Sequence, residues 1–189
     1  MTPSLVHGDH VSCSRVGGAM RRESSRLRQQ ARALDIAIGD LAGLEGSDGN
    51  TTTGATDTTD ATDTTDAAVV TDVTADMTAV MTASLTALLA TAADLDKAGA
   101  ALQRYATDLA EGHELGRRAE RRVEGTGLVL EGTRVVEPWG PAIAEEAERR
   151  RALVPEIQSR VDLATAHVGR ARGRLERTLS SLTKDRLGS

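Results

Sequence analysis

The sequence is poor in the side chains that build large cores and many kinds of binding site. Phe is absent, and Trp139 and Tyr105 are the only Trp and Tyr among 189 residues. Aromatic side chains dominate core packing and form the surfaces on which nucleobases stack. Their scarcity argues against a large globular core and against that mode of nucleic-acid binding. A single cysteine, Cys13, excludes an internal disulfide framework.

Segments that direct a chain into or across a membrane are not expected from the sequence either. No uninterrupted apolar run approaches the roughly 20 residues that span a bilayer. Residues 1–10 have neither the cationic nor the apolar region of a Sec signal peptide. We therefore expect no membrane insertion, and a location in the cytoplasm or export without a Sec signal peptide.

Charge is distributed in blocks along a chain whose net charge is −5. Residues 1–32 carry six Arg and two acidic residues, whereas residues 33–96 carry twelve acidic residues and no Lys or Arg. This pattern suggests complementarity between a basic first helix and acidic stretches elsewhere, although the solvated faces of ordinary helices produce it too. Because Glu interleaves with the later Arg clusters, we expect no nucleic-acid partner.

Residues 1–44 are predicted to form an N-terminal amphipathic helix. It begins near Asp9, whose carboxylate can accept hydrogen bonds from the free N–H groups of the first turn. Apolar residues recur every seven positions, which indicates a helix with one apolar stripe. They are Met20, Leu27, Leu34 and Leu41, with Ser24, Ala31 and Ile38 at the intermediate positions.

Residues 45–70 interrupt the helical pattern. Turn-forming residues cluster at 45–50, and the hexamer Ala-Thr-Asp-Thr-Thr-Asp occurs at 55–60 and again at 61–66. A stretch of this composition cannot bury enough apolar surface to offset the entropy lost on ordering. We therefore predict a disordered acidic Thr/Asp linker.

Residues 71–189 are predicted to form a long helical hairpin. On its first leg, large residues recur every seven positions from Met81 to Leu109, and mostly small residues occupy the row between them. Small residues let a partner helix approach closely. On the second leg a similar ladder runs from Ala147 to Leu182. Pro155 interrupts it and is expected to kink or restart the helix.

A short β-hairpin is predicted at residues 128–136, between the two legs. Two β-rich triplets, 128–130 and 134–136, flank a turn that contains Gly. So short a hairpin is marginal alone and must lie on the helices. Trp139 follows it and is predicted to plug the open end of the helical layer.

These patterns predict an all-α protein in which three long amphipathic helices form an antiparallel coiled-coil-like bundle, with a small β-hairpin between helices 2 and 3. Such rods cannot bury an apolar stripe alone, so we expect a helical protein partner or self-association. The predicted helix-packing interface consists of Leu27, Leu34, Leu41, Leu88, Leu95, Leu102, Val161, Val168 and Leu175.

The sequence shows no constellation typical of a catalytic or cofactor-binding site. It has no phosphate-cradling Gly loop, nucleophile elbow or paired carboxylates on opposed elements, so we expect no enzymatic activity, no cofactor and no small-molecule substrate. His7, His10 and Cys13 are spaced as zinc ligands can be, but a structural site needs a fourth ligand. His113 and His167 are interpreted as ordinary helix-surface or seam residues. We expect no bound metal, and a metal-dependent regulator stands as a third hypothesis.

Several segments have the features of a known family. Gly8-Asp9-His10 enters an Arg-rich amphipathic helix with Gly17-Gly18-Ala19, and residues 95–110 continue as a second amphipathic helix. With the passage 125–138, these segments resemble WxG-type helical-hairpin proteins of type VII secretion in Gram-positive bacteria. The resemblance implies a helical hairpin that packs, with a partner or itself, into a four-helix assembly. The family's Trp-x-Gly turn is expected where this chain has Leu44-Glu45-Gly46.

The resemblance further implies a secreted substrate, a chaperone-like partner or an N-terminal targeting module. The leading hypothesis is therefore a non-enzymatic protein associated with type VII secretion that acts through helix–helix packing. The alternative is a cytoplasmic coiled-coil scaffold or adaptor with no link to secretion.

Overall fold

The computed structural model describes residues 8–45, 64–140 and 143–187. Within these ranges, helix α1 spans His10–Glu45, α2 spans Thr64–Val123 and α3 spans Ala144–Leu187. Strands β1 (Val129–Glu131) and β2 (Arg134–Val136) form an antiparallel hairpin between α2 and α3. The predicted fold class, packed helices with a small hairpin between the second and third, is confirmed.

Two predicted boundaries differ from those in the structure. Most of the predicted linker at 45–70 lies outside the described residues, and its last part belongs to α2, which begins at Thr64 and not near Thr71. Pro155 was expected to kink or restart the third helix near Leu153; the helix does not restart, because α3 runs through that residue as one helix. A long helix tolerates the one lost N–H donor because the turns on either side retain their hydrogen bonds.

The start of α1 is fixed by Asp9, as predicted. Its carboxylate accepts a 2.9 Å hydrogen bond from the N–H of Val11 and a further one from the hydroxyl of Ser12. The hydrogen bond from Ser12 is the main cause that lowers the pKa of the Asp9 carboxyl. These hydrogen bonds satisfy donors that the first turn of a helix otherwise leaves free.

The chain divides into two compact units. Unit 1 comprises Met1–Met20 and Lys97–Ser189, and unit 2 comprises Arg21–Asp96. Helices α1 and α2 each contribute to both units, whereas the hairpin and α3 belong to unit 1.

The core of unit 1 lies where the end of α2, the hairpin and α3 meet. Buried side chains from all three elements form one cluster: Ala119, Val123, Leu128, Val135, Ile157 and Val161. Burial of this apolar surface is the main favourable contribution to packing, at about 25 cal/mol per Å². The hairpin therefore contributes to the core of the unit, as its short length required.

A side chain of α3 holds the hairpin in place. The carbonyl oxygen of the Gln158 side chain accepts a 2.8 Å hydrogen bond from the N–H of Val135, and its amide nitrogen donates to the backbone oxygen of Thr133 at 2.9 Å. Gly132, with φ of 61°, occupies the turn between the strands, and that conformation favours glycine. One glutamine thus satisfies two backbone groups that a two-stranded sheet leaves unpaired.

Candidate functional site

Small residues occupy the centre of the contact between α1 and α2 in unit 2. Ser24 and Ala92 are fully buried, and the Ser24 hydroxyl donates a 2.7 Å hydrogen bond to the backbone oxygen of Ala92. Ala31, one heptad after Ser24, is buried as well. Side chains of this size let two helices approach closely, as the row of small residues predicted.

In unit 1, glycines let neighbouring helices approach closely. A Cβ atom on Gly17 of α1 would lie 2.7 Å from the backbone oxygen of Gly99 on α2, so the two backbones are in contact there. On the other side of α2, Gly112 packs directly against Val168 of α3, and a Cβ on Gly112 would overlap a methyl group of that valine. Both contacts depend on the absence of a side chain.

The predicted interface residues lie mostly beside these small residues. Val161 is fully buried. The other members of the set are half-buried: Leu27, Leu34, Leu41, Leu88, Leu95, Leu102, Val168 and Leu175. The sequence shows a row of large residues and a row of small residues, but it does not show which row is more deeply buried. That depends on the distance between the two helix backbones, which cannot be read from side-chain size.

Trp139 lies after β2, and its side chain is fully exposed, at 106% of the reference area. The prediction that it plugs the end of the helical layer is therefore wrong. Leu128 and Val135 of the hairpin segment close that end instead, because they are buried with Ile157 in the core of unit 1.

Unit 2 exposes an apolar stripe on α2. Val73, Met77 and Val80 recur at spacings of four and three residues, so they share one face of the helix. Their exposed fractions are 61%, 44% and 66%. We call these three residues the α2 stripe. Periodic apolar side chains in water on a long helix are typical of a surface that another apolar surface covers.

The same part of α2 has a composition that a bilayer could accept. Within Ala75–Val123, one window of the helix has a mean hydropathy of 1.4, and only 6% of that window is buried. The expectation of no membrane insertion rested on apolar runs, and in this segment Thr and Ser separate the apolar residues. Length and composition alone do not distinguish a lipid phase from a protein partner, since core helices of soluble proteins meet the same criterion.

An ion-pair fork lies beside the small residues of unit 2. The carboxylate of Asp96 accepts hydrogen bonds from Arg21 at 3.2 Å and from Arg28 at 3.3 Å. These two interactions, that of Arg21 first, lower the pKa of the Asp96 carboxyl. Pairing of Arg on the first helix with an acidic residue of the second agrees with the charge blocks in the sequence.

The zinc ligands considered in the sequence are not gathered by the part of the chain that the structure describes. His7 lies outside that part. His10 is exposed, and its ring centroid is 5.9 Å from that of His113, whose Nε2 lies 3.0 Å from the backbone oxygen of Gly8. Cys13 is half-buried in the second turn of α1.

A different set of candidate metal ligands is present in unit 1. Asp108 and Glu111 of α2 and His167 of α3 place one ligand atom each within 4.8 Å of one another. Sequence reasoning missed this set because 56 residues separate Glu111 from His167 (167 minus 111) and only the alignment of α2 with α3 brings them together. The i, i+3 spacing of Asp108 and Glu111 is the one signal that the sequence offers.

No protein family, curated protein or solved structure matches this chain. The resemblance to WxG-type proteins therefore rests on the sequence segments alone. Function has to be argued from the exposed surfaces and side-chain clusters of the chain itself.

Proposed function

We propose that this chain is a non-enzymatic helix-association protein that binds a helical protein partner through the α2 stripe of unit 2. The observation that carries the proposal is the exposure of Val73, Met77 and Val80 on one face of α2. Amphipathic helices bind one another through anchors at such i, i+4 and i+7 positions. Covering these side chains would remove apolar area from water at a gain of about 25 cal/mol per Å².

Charge favours a partner of basic character. Residues 33–96 carry twelve acidic residues and no Lys or Arg. Unit 2 also includes five Arg of α1, but its acidic residues outnumber them thirteen to five. Two copies of unit 2 facing each other would therefore bring net negative charges together, whereas a helix with Lys or Arg beside its apolar stripe would be attracted. A second protein with such a helix is therefore the favoured occupant, ahead of self-association through unit 2.

The leading version of this function is a substrate or partner in type VII secretion, and it is supported by the resemblance of residues 8–44 and 72–138. The alternative version is a cytoplasmic scaffold or adaptor. Fractionation of host cells with active secretion separates them. Protein in the culture medium supports the secretion version, and protein confined to the cytosol supports the scaffold.

Site-specific photo-crosslinking in host cells tests the proposed surface. A photoreactive amino acid at Val80 should crosslink to a distinct protein that contains a basic amphipathic helix. The same amino acid at Ala79 is a matched control, since Ala79 is exposed too but lies about 100° around the helix. We expect little or no product from position 79.

Other products of this crosslinking experiment would contradict the proposed partner. Crosslinked dimers of the chain at Val80 would show that a second copy of the chain, and not a distinct protein, covers the α2 stripe. Lipid adducts, equal products at both positions, or no product at Val80 would each contradict the proposal.

A further inference from the structure

The contact between α2 and α3 in unit 1 gathers three side chains that are common ligands of divalent metals. Asp108 and Glu111 are one helical turn apart on α2, and His167 comes from α3. One ligand atom of each lies within 4.8 Å of the others. We call these three residues the helix-bridging cluster.

The spacing of the two closest ligand atoms fits a metal. Nε2 of His167 and Oε2 of Glu111 are 3.3 Å apart. Two ligands bound at 2.0–2.1 Å to a tetrahedral zinc ion are separated by about 3.3–3.4 Å. This separation therefore suits two ligands of one ion, and the ligand atom of Asp108 lies within 4.8 Å of both.

The ring nitrogen Nε2 of His167 is a buried polar atom without a hydrogen bond in the described part of the chain. Nε2 is shielded from solvent and makes no hydrogen bond among the residues that the structure describes, although Oε2 of Glu111 lies 3.3 Å away. Buried polar atoms normally have partners, and an orphan requires an explanation. An imidazole nitrogen beside two carboxylates is a donor set that divalent transition-metal ions use.

Arg174 orients the third ligand. Its guanidinium donates a 2.8 Å hydrogen bond to Oδ2 of Asp108, whose side chain is 24% exposed. Within residues 8–45, 64–140 and 143–187, the other carboxylate oxygen, Oδ1, makes no hydrogen bond or ion pair and can bind a metal. Hydrogen bonds to ligating carboxylates are a regular feature of metal sites and fix the direction of the ligand.

We infer that the helix-bridging cluster binds a zinc-class divalent cation and thereby ties α2 to α3. Three protein ligands leave at least one coordination position for water, which agrees with the exposure of Glu111. Unlike the helix-association proposal, this inference does not depend on any partner. It assigns His167 a role beyond that of the helix-surface or seam residue expected from the sequence.

Calorimetric titration of the full chain with Zn²⁺ tests the inference. The N-terminal candidates would contribute their own binding, so the background carries His7→Ala, His10→Ala and Cys13→Ala. We expect one Zn²⁺ per chain and a thermal midpoint that rises with Zn²⁺ and falls back with chelator, because a ligand that binds only the folded state stabilises it.

Variants of the cluster identify the ligands. His167→Ala and Glu111→Gln should each weaken binding at least about tenfold, since loss even of groups that only orient a ligand has effects of that size. Far-UV circular dichroism at 20 °C should show unchanged helix content in both variants. His113→Ala and Glu148→Gln are the matched controls, and they should leave the affinity unchanged.

Two outcomes would overturn the inference. One is the absence of saturable Zn²⁺ binding in the triple-substituted background. The other is binding that survives His167→Ala, which would place the ion elsewhere on the chain.

Discussion

The two units differ in how much of their helix surface other parts of the same unit cover. In unit 1, α2 packs against α1, α3 and the hairpin, and large side chains such as Leu109, Ile157 and Val161 are fully buried. In the described part of unit 2, only α1 and α2 are present, and the buried side chains are Ser24, Ala31 and Ala92.

This difference shows what a third helix contributes. A pair of helices buries one narrow stripe of each, and a seam of Ser and Ala removes little apolar area from water. Unit 1 has additional neighbours and buries side chains of full size. We therefore expect unit 2 to have the lower local stability of the two.

Truncation of large side chains should give the largest contrast between the units. Ile157→Ala removes a fully buried side chain from unit 1 and should lower the free energy of unfolding by about 3 kcal/mol. Leu34→Ala removes a half-buried side chain from unit 2, and its loss should be roughly 1 kcal/mol. Urea unfolding followed by circular dichroism measures both, and equal losses would contradict the contrast.

Substitutions of glycine should sharpen the comparison at the contact of α2 with α3. Gly112→Ala places a methyl group against Val168, and overpacking of this kind costs about 1–3 kcal/mol. Gly169→Ala on α3 meets no atom within 4 Å and should stabilise the protein by up to about 1 kcal/mol through helix propensity. Thermal melts of the two variants should therefore shift in opposite directions, and two shifts of the same sign would refute the close contact.

A substitution in the contact between α1 and α2 of unit 2 should change the free energy of unfolding less. Ser24→Ala removes the buried hydrogen bond to Ala92, which contributes about 1 kcal/mol, while the higher helix propensity of Ala returns about half of that. We expect a net loss of roughly 0.5 kcal/mol in urea unfolding. Ser25→Ala is the control, because among the described residues the exposed Ser25 hydroxyl donates only within its own helix, to the backbone oxygen of Arg21. That change should be neutral or slightly stabilising.

The sequence predicted the elements of the fold better than their contacts. Heptad rows and the capping residue Asp9 located three helices, and β-rich triplets around a Gly turn located the hairpin, because these signals are local. The helix-bridging cluster could not be predicted in the same way. It depends on which turn of α3 faces Glu111, and glycines such as Gly112 set that alignment. The exposure of Trp139 could not be predicted from local signals either, because it depends on tertiary packing, in which hairpin residues occupy the core.

The smallest expected effect concerns the ion-pair fork of unit 2. Arg21 and Arg28 lower the pKa of the Asp96 carboxyl below its value in the unfolded chain, which is about 3.9. The fork therefore stabilises the folded state above pH 4, roughly, and this contribution is lost as the pH falls through the lowered pKa. Asp96→Asn should reduce the thermal midpoint slightly at pH 7, and the two proteins should converge as the pH falls through the lowered pKa, because the wild-type carboxyl then becomes neutral. Because the fork is exposed, about 1 M NaCl should also shrink the difference.

Asp76→Asn, which changes an exposed acidic residue on the same helix, is the matched control. A gap between Asp96→Asn and wild type that is independent of pH and salt would indicate a packing effect and not an electrostatic one.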